Sequence, residues 1–129
     1  MITIDICKKL KANAAIKNIV ADRVGVGFLE AVANDAHIIC TLTDAKPSRD
    51  NVRDFDLWHA TLEIASCAAS ATVAADLADK VYELFNSSEI LSNKIKSLVL
   101  QTSYQAPSLD EINTLFAQVQ VYKIKYRKG

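Results

Sequence analysis

The chain has 129 residues, enough for one domain with a sizeable core and too few for two well-cored ones. Half of the residues are apolar and 23% are charged, which excludes disordered, collagen-like and low-complexity classes. Fifteen basic side chains balance fifteen acidic ones, so the overall charge points to neither a nucleic acid nor a membrane surface as partner.

Thr3 is placed to cap a first helix, with Ile2 as an apolar staple before it. Ile6, Cys7, Leu10 and Ala14 follow at helical spacing, with Lys8, Lys9 and Lys11 on the outer side. Asn13 breaks this helix, and residues 14–20 continue as a short second one. In residues 23–29, Val24, Val26 and Phe28 alternate with Gly25 and Gly27, which predicts a strand with one bare face. Residues 30–35 read as a loop. The β-branched run over residues 36–43 predicts a second strand.

Residues 44–56 are the longest polar stretch, with Pro47, no glycine and charges of both signs. They read as a projecting loop, and loops of that length usually carry function or mobility. A third strand follows over residues 57–67, with Trp58, Ala60, Leu62 and Ile64 on one face and His59, Thr61 and Glu63 on the other. Together the two strands and the loop make a long hairpin.

Residues 70–86 form the strongest helical pattern, a stripe of Val73, Leu77, Val81, Leu84 and Phe85 widened by Ala74 and Ala78. Six alanines between positions 68 and 78 favour the helix and allow close packing on a sheet. Asp76 and Lys80 make an i,i+4 pair on the outside. Residues 94–104 alternate as a fourth strand, residues 107–113 turn, and residues 114–126 form a fifth strand with Phe116, Tyr122, Ile124 and Tyr126 on one face. The order predicts a single α+β domain over residues 1–129: a mostly antiparallel or mixed sheet of about five strands, with an N-terminal helix and the long Ala-rich helix on one side.

The neutral total conceals a segregation. Residues 1–23 hold five basic and two acidic groups, a net of +3, and residues 24–56 hold three basic and six acidic, a net of −3. Residues 57–90 hold Lys80 against five acids, a net of −4, and residues 91–129 hold six basic groups against Asp110 and Glu111, a net of +4. A chain with basic ends and an acidic middle can present faces of opposite sign, which suits head-to-tail packing between copies.

Site chemistry is sparse. Gly25-Val-Gly27 lacks the third glycine of a dinucleotide fingerprint and opens no helix. His37 and Cys40 are three apart on a strand, hence on opposite faces, and His59 and Cys67 are eight apart, so neither pair forms a metal site alone. Asp54 and Asp56, and Asp110 with Glu111, read as solvated turn carboxylates. No catalytic constellation, cofactor site or metal site is predicted. Cys7, Cys40 and Cys67, an odd number with no Cys-x-x-Cys, read as small buried hydrophobes in a reducing cytosol. Asp5 interrupts the apolar segment a secretory leader needs, and no apolar run approaches the roughly 20 residues of a membrane span. At the basic C-terminal end, Lys123, Lys125 and Arg127 point away from Tyr122 and Tyr126, which places the tyrosines in the core rather than on a nucleic-acid face.

An N-terminal Ile-x-x-x-Leu helix precedes Ile16-Lys-Asn-Ile-Val-Ala-Asp-Arg23-Val. A hairpin follows, then Ile64-Ala-Ser-Cys-Ala-Ala-Ser-Ala-Thr and a helix containing Ala75-Asp-Leu-Ala-Asp-Lys-Val. A two-strand unit closes the chain at Val119-Gln-Val-Tyr-Lys-Ile-Lys-Tyr. Over nearly its whole length the chain resembles the tail terminator (tail-completion, or minor tail) family of long-tailed bacteriophages and phage-tail-like particles. The resemblance implies a non-enzymatic virion protein, made in the host cytoplasm and built into the tail or neck. Such proteins form a ring, usually a hexamer, that caps the tail tube, stops its polymerisation and offers a surface for head attachment. The implied partners are further copies of the chain, the major tail tube protein and a head-completion or connector protein, with DNA passing through the ring without specific binding and no membrane involved. In this picture Lys46, Arg49, Asp50, Arg53 and Asp54 in the hairpin loop, and Asp110 and Glu111 in the late turn, are the interface residues. Two other readings are a neighbouring head-completion or connector protein of the neck, and a small enzyme or ligand-binding domain with a pocket between the Ala-rich helix and the sheet.

Overall fold

The computed structural model describes residues 2–27, 35–48, 57–87, 89–92, 94–107 and 115–127. Helix α1 (Ile2–Ala12) begins two residues earlier than a Thr3 cap would allow, and Thr3 lies inside it, buried. The reason is packing: Ile2, Ile6 and Leu10 recur at i,i+4 and are all buried, so the apolar stripe carries the helix back to Ile2. Asn13 does end it. Its side-chain oxygen accepts the N–H of Ile16 at 3.1 Å and so caps α2 (Ala14–Val20). Ala14 itself is exposed.

After α2 the chain turns at Ala21, whose φ of 54° and ψ of −116° fall in a region glycine favours. Arg23 then ties helix to sheet: its Nε donates to the carbonyl of Ala36 at 2.8 Å and its Nη2 to that of Ile19 at 3.4 Å. Strand β1 (Val24–Val26) is shorter than the glycine alternation suggests, because Gly27 adopts φ +79° and turns the chain out. Phe28, Glu30 and the rest of residues 28–34 lie outside the described residues.

β2 (His37–Pro47) runs four residues past the predicted strand, so the loop expected from position 44 begins later. The alternation is hidden by a register shift between Thr43 and Lys46, where Asp44 takes φ 54°. β3 (Leu57–Ala68) pairs antiparallel with β2 from His37↔Cys67 to Pro47↔Trp58, which is the predicted long hairpin. Helix α3 (Ala71–Phe85) follows, with Ser70 Oγ accepting the N–H of Val73 at 3.4 Å. β4 (Ile95–Pro107) is longer than predicted and takes in Pro107, expected in a turn; β5 (Phe116–Arg127) completes the chain.

The sheet order is β1-β2-β3-β5-β4, with β1 parallel to β2 and all other pairs antiparallel. It is the predicted five-stranded mixed sheet. All three helices pack on one face, α1 towards β1 and β2, α3 towards β3 and β5, with α2 between them. The core joins Ile6, Leu10, Ile16 and Val20 from α1 and α2, Leu77, Val81 and Phe85 from α3, and Ile38, Cys40, Leu62, Ile64, Tyr122 and Ile124 from the sheet. Phe85 meets Tyr122 edge-on, centroids 4.9 Å apart. Val73, expected in the buried stripe of α3, is 40% exposed; Ala74 takes that place.

Candidate functional site

Strand register decides which side chains stand on the sheet face away from the helices. Rows such as Cys40–Ile64–Gln120 and Leu42–Leu62–Tyr122–Leu100 face the helices and are mostly buried. The alternate rows therefore look outward. They include Thr41–Glu63–Val121 and Thr43–Thr61–Lys123–Val99, and then Lys46–His59–Lys125–Ser97. No helix packs on this face among the described residues, but it is not uniformly open: at one end His37, Cys67 and Val119, on its outward rows, are buried, and towards the other end Lys46, Lys123 and Val99 are exposed.

Of the residues expected at an interface, Lys46 is exposed on β2 and is level with His59 on this outward face. Arg49, Asp50, Arg53, Asp54, Asp110 and Glu111 lie outside the described residues, as do residues 49–56 of the loop expected over 44–56 and residues 108–113 of the turn expected over 107–113. The predicted direction of the C-terminal strand is observed: Tyr122 and Tyr126 are buried in the core, and Lys123 stands exposed on the opposite side.

Charge is segregated in space as well as in sequence. The outer side of α3 exposes Asp76, Asp79 and Glu83, with Val73 on one flank and Tyr82 on the other, towards β4. Lys80 pairs with Asp76 at 3.2 Å, and Asp79 and Glu83 have no ion-pair partner among the described residues. The outward sheet face carries Lys46, Lys123 and Lys125, with Glu63 the one acid in its paired rows. The positive N-terminal charge goes elsewhere: Lys8, Lys9, Lys11 and Lys17 are exposed on α1 and α2. The acids of α3 and the lysines of β5 were not singled out from sequence as contact residues, although the regional charge sums and the strand parity carry the signal.

A cleft of about 200 Å³ lies between the C-terminal end of α3 and the sheet, beside Tyr82, Phe85, Leu98, Val99 and Tyr122. A shallow surface depression of about 440 Å³ lies between α1 and the segment before β4, where Lys94 approaches Asp5 at 3.7 Å. Among the described residues no group of three or more His, Cys, Asp or Glu side chains could hold a metal, and no helix is long and apolar enough to cross a membrane. Cys7, Cys40 and Cys67 are free and buried, as expected of small hydrophobes. The Cys40 thiol is pushed far up by its hydrogen bond with Cys7 and by burial, and burial alone raises Cys67, so neither is a ready nucleophile.

Beneath α3 the sheet carries a polar seam. Gln120 donates from Nε2 to the carbonyl of Ala78 at 3.2 Å, tying β5 to the helix. The Ser66, Gln120 and Tyr122 oxygens in this layer have no hydrogen-bond partner among the described residues.

No family model matches the sequence. No curated protein matches it either. A solved structure does: the chain superposes on a chain of the "Virion of native gene transfer agent (GTA) particle" with a TM-score of 0.73 and 11% sequence identity, covering 97% of this chain and 93% of that one. At that identity the likeness is one of fold, and this single α+β domain shares its architecture, end to end, with a chain of a virion particle.

Proposed function

We propose that the chain is a structural virion protein of the tail terminator type, a subunit of a ring that caps a tail tube. The observation that carries this reading is the end-to-end fold likeness to a chain of a gene transfer agent virion. The sequence resemblance to tail terminators points to the same class of particle. Two surface features support a ring subunit over a self-contained catalyst. Among the described residues no helix packs on the open end of the outward sheet face, and the lysines there differ in sign from the acids on the outer side of α3.

In this reading the mechanism is capping by shape and charge. One edge of the ring matches the open end of the tube, and the other presents a surface that the tube subunit does not fit but a head-completion or connector protein does. Residues 44–56 and 107–113 are proposed as contact segments, with Lys46, Arg49, Asp50, Arg53, Asp54, Asp110 and Glu111 as their charged members. Exposed ion pairs each contribute about 0–1 kcal/mol, so such contacts select partners more than they supply affinity.

The test is reconstitution. The purified protein, mixed with the tube protein of its own particle, is expected to appear by electron microscopy as closed rings seated on tube ends. Binding instead to the portal-side connector in the absence of tubes would assign it to the neck. A protein that binds neither and stays monomeric would overturn the structural reading.

A further inference from the structure

The ring reading leaves open which surfaces of neighbouring copies meet, and the charge distribution answers that. At the open end of this sheet face, Lys46 and Lys123 are exposed on neighbouring rows, and neither has an ion-pair partner among the described residues. At the β4 side of the same face stand Val99, 54% exposed, and Tyr104, 47% exposed. On the helix side of the molecule, α3 turns outward Asp79 and Glu83, also without ion-pair partners among the described residues, with the exposed Val73 on one flank. Tyr82 is on the other flank of α3, where it lines one cleft with Val99. The sheet face thus combines lysines with exposed apolar side chains, and the outer face of α3 combines acids with Val73. Interfaces are built this way, with apolar contacts inside a charged rim, and the two surfaces have opposite signs.

We propose that the open end of the outward sheet face of one copy receives the outer face of α3 of a second copy. This rests on the ring reading and specifies its subunit contact. The contact is heterologous: each subunit uses its sheet face towards one neighbour and its α3 face towards the other. Such a contact repeats until the rotation per step closes a ring, or runs on as a filament. Helix layer and sheet layer then alternate around the assembly, and Lys46, Lys123 and Val99, exposed in a single copy, become interior. A duplex nucleic acid also suits a basic face, but it leaves Val99 and Tyr104 without apolar contact and gives no role to the matching acidic face of α3. A second copy accounts for both.

The experiment exchanges the charges. Lys46→Glu with Lys123→Glu reverses the sheet face, and Asp79→Lys with Glu83→Lys reverses the helix face; circular dichroism and thermal melting confirm that each stays folded. Assembly is followed by sedimentation velocity and electron microscopy, alone and on tail tubes. Each double variant is expected to need a concentration raised about tenfold or more to assemble, and added salt to weaken the wild-type assembly. Mixing the two double variants, or combining all four changes in one chain, is expected to restore assembly, because each reversed face then meets a complementary one. Rings that form unchanged in both double variants overturn this contact and leave the ring reading standing. Normal rings in the Lys46/Lys123 variant with lost binding to tubes, or to a DNA duplex, would assign the sheet face to those partners and overturn the contact as well. Open filaments that respond to charge exchange but never cap tubes would support the contact and sink the ring reading. A wild-type protein that never self-associates, alone or on tubes, overturns both.

Discussion

Leu77→Ala tests the packing that holds the helical layer on the sheet. Leu77 is fully buried near the middle of α3, flanked on the same stripe by Ala74 and Ala78. Removing three carbon atoms forfeits about 2.4 kcal/mol of transfer free energy, at about 0.8 kcal/mol per buried methylene. The cavity left behind adds to this. Ala74 and Ala78 beside it on the helix are too small to fill it, and the Gln120 bond to the Ala78 carbonyl holds α3 at its height above the sheet. Collapse is therefore limited, and the total loss should reach about 3–4 kcal/mol. Urea titration at constant m reads this directly, and the melting temperature should fall by about 10–15 °C for a domain of this size. Val73→Ala is the control: at 40% exposure it should change stability by less than about 0.5 kcal/mol. Equal losses at the two positions, or a loss at Leu77 below about 1 kcal/mol, would refute the assigned face of α3.

Three other outcomes follow from local geometry. Ala21→Gly should stabilise the protein by about 1 kcal/mol in the same titration, because Ala21 holds φ 54° and ψ −116°, values that cost an L side chain strain and glycine little; a destabilised variant would show that the turn is not so formed. Ser70→Ala removes the acceptor that caps α3 and should cost about 1 kcal/mol, with Ser70→Asp retaining most of it; no loss in the alanine variant contradicts the cap. Burial, then the neighbouring Tyr82, pushes the Tyr122 hydroxyl well above the ordinary phenol range. The folded state then keeps a proton that the unfolded chain loses, so this contribution to stability is intact below about pH 10 and falls as pH rises beyond it, by up to about 1.4 kcal/mol per pH unit. Urea titrations between about pH 9 and pH 11 should show that slope, and Tyr122→Phe should lessen it; an unchanged slope in the variant would refute the assignment.

Much of the fold was legible because its signals are local. Ser70 as cap and the spacing of Leu77, Val81, Leu84 and Phe85 define α3, and Ala60, Leu62 and Ile64 define the inward face of β3. The departures share a cause: tertiary packing outweighed a local cue. Thr3 is a good cap residue, but burial of Ile2 extends the helix past it. Val73 is more apolar than Ala74, but the helix is phased by its larger side chains further on, and alanine fits the close approach to the sheet. In β2 the period of two breaks at the bulge, so Asp44, Ala45 and Lys46 read as loop although the strand continues to Pro47. The candidate surface was legible only in part. Lys46 was singled out, and the regional charges anticipated faces of opposite sign. That the acids of α3 and the lysines of β5 lie on opposite sides of one sheet depends on the order β3-β5-β4 and on where α3 crosses it, which no local pattern encodes.

The proposed role is to end tail tubes. The most direct measurement is the length distribution of tubes polymerised from the tube protein of its own particle, with and without this chain, scored by electron microscopy. Added protein is expected to cap tube ends with rings and arrest further growth, so that mean length falls as its ratio to tube protein rises. Tubes that grow to the same lengths with bare ends, at any ratio, would contradict it.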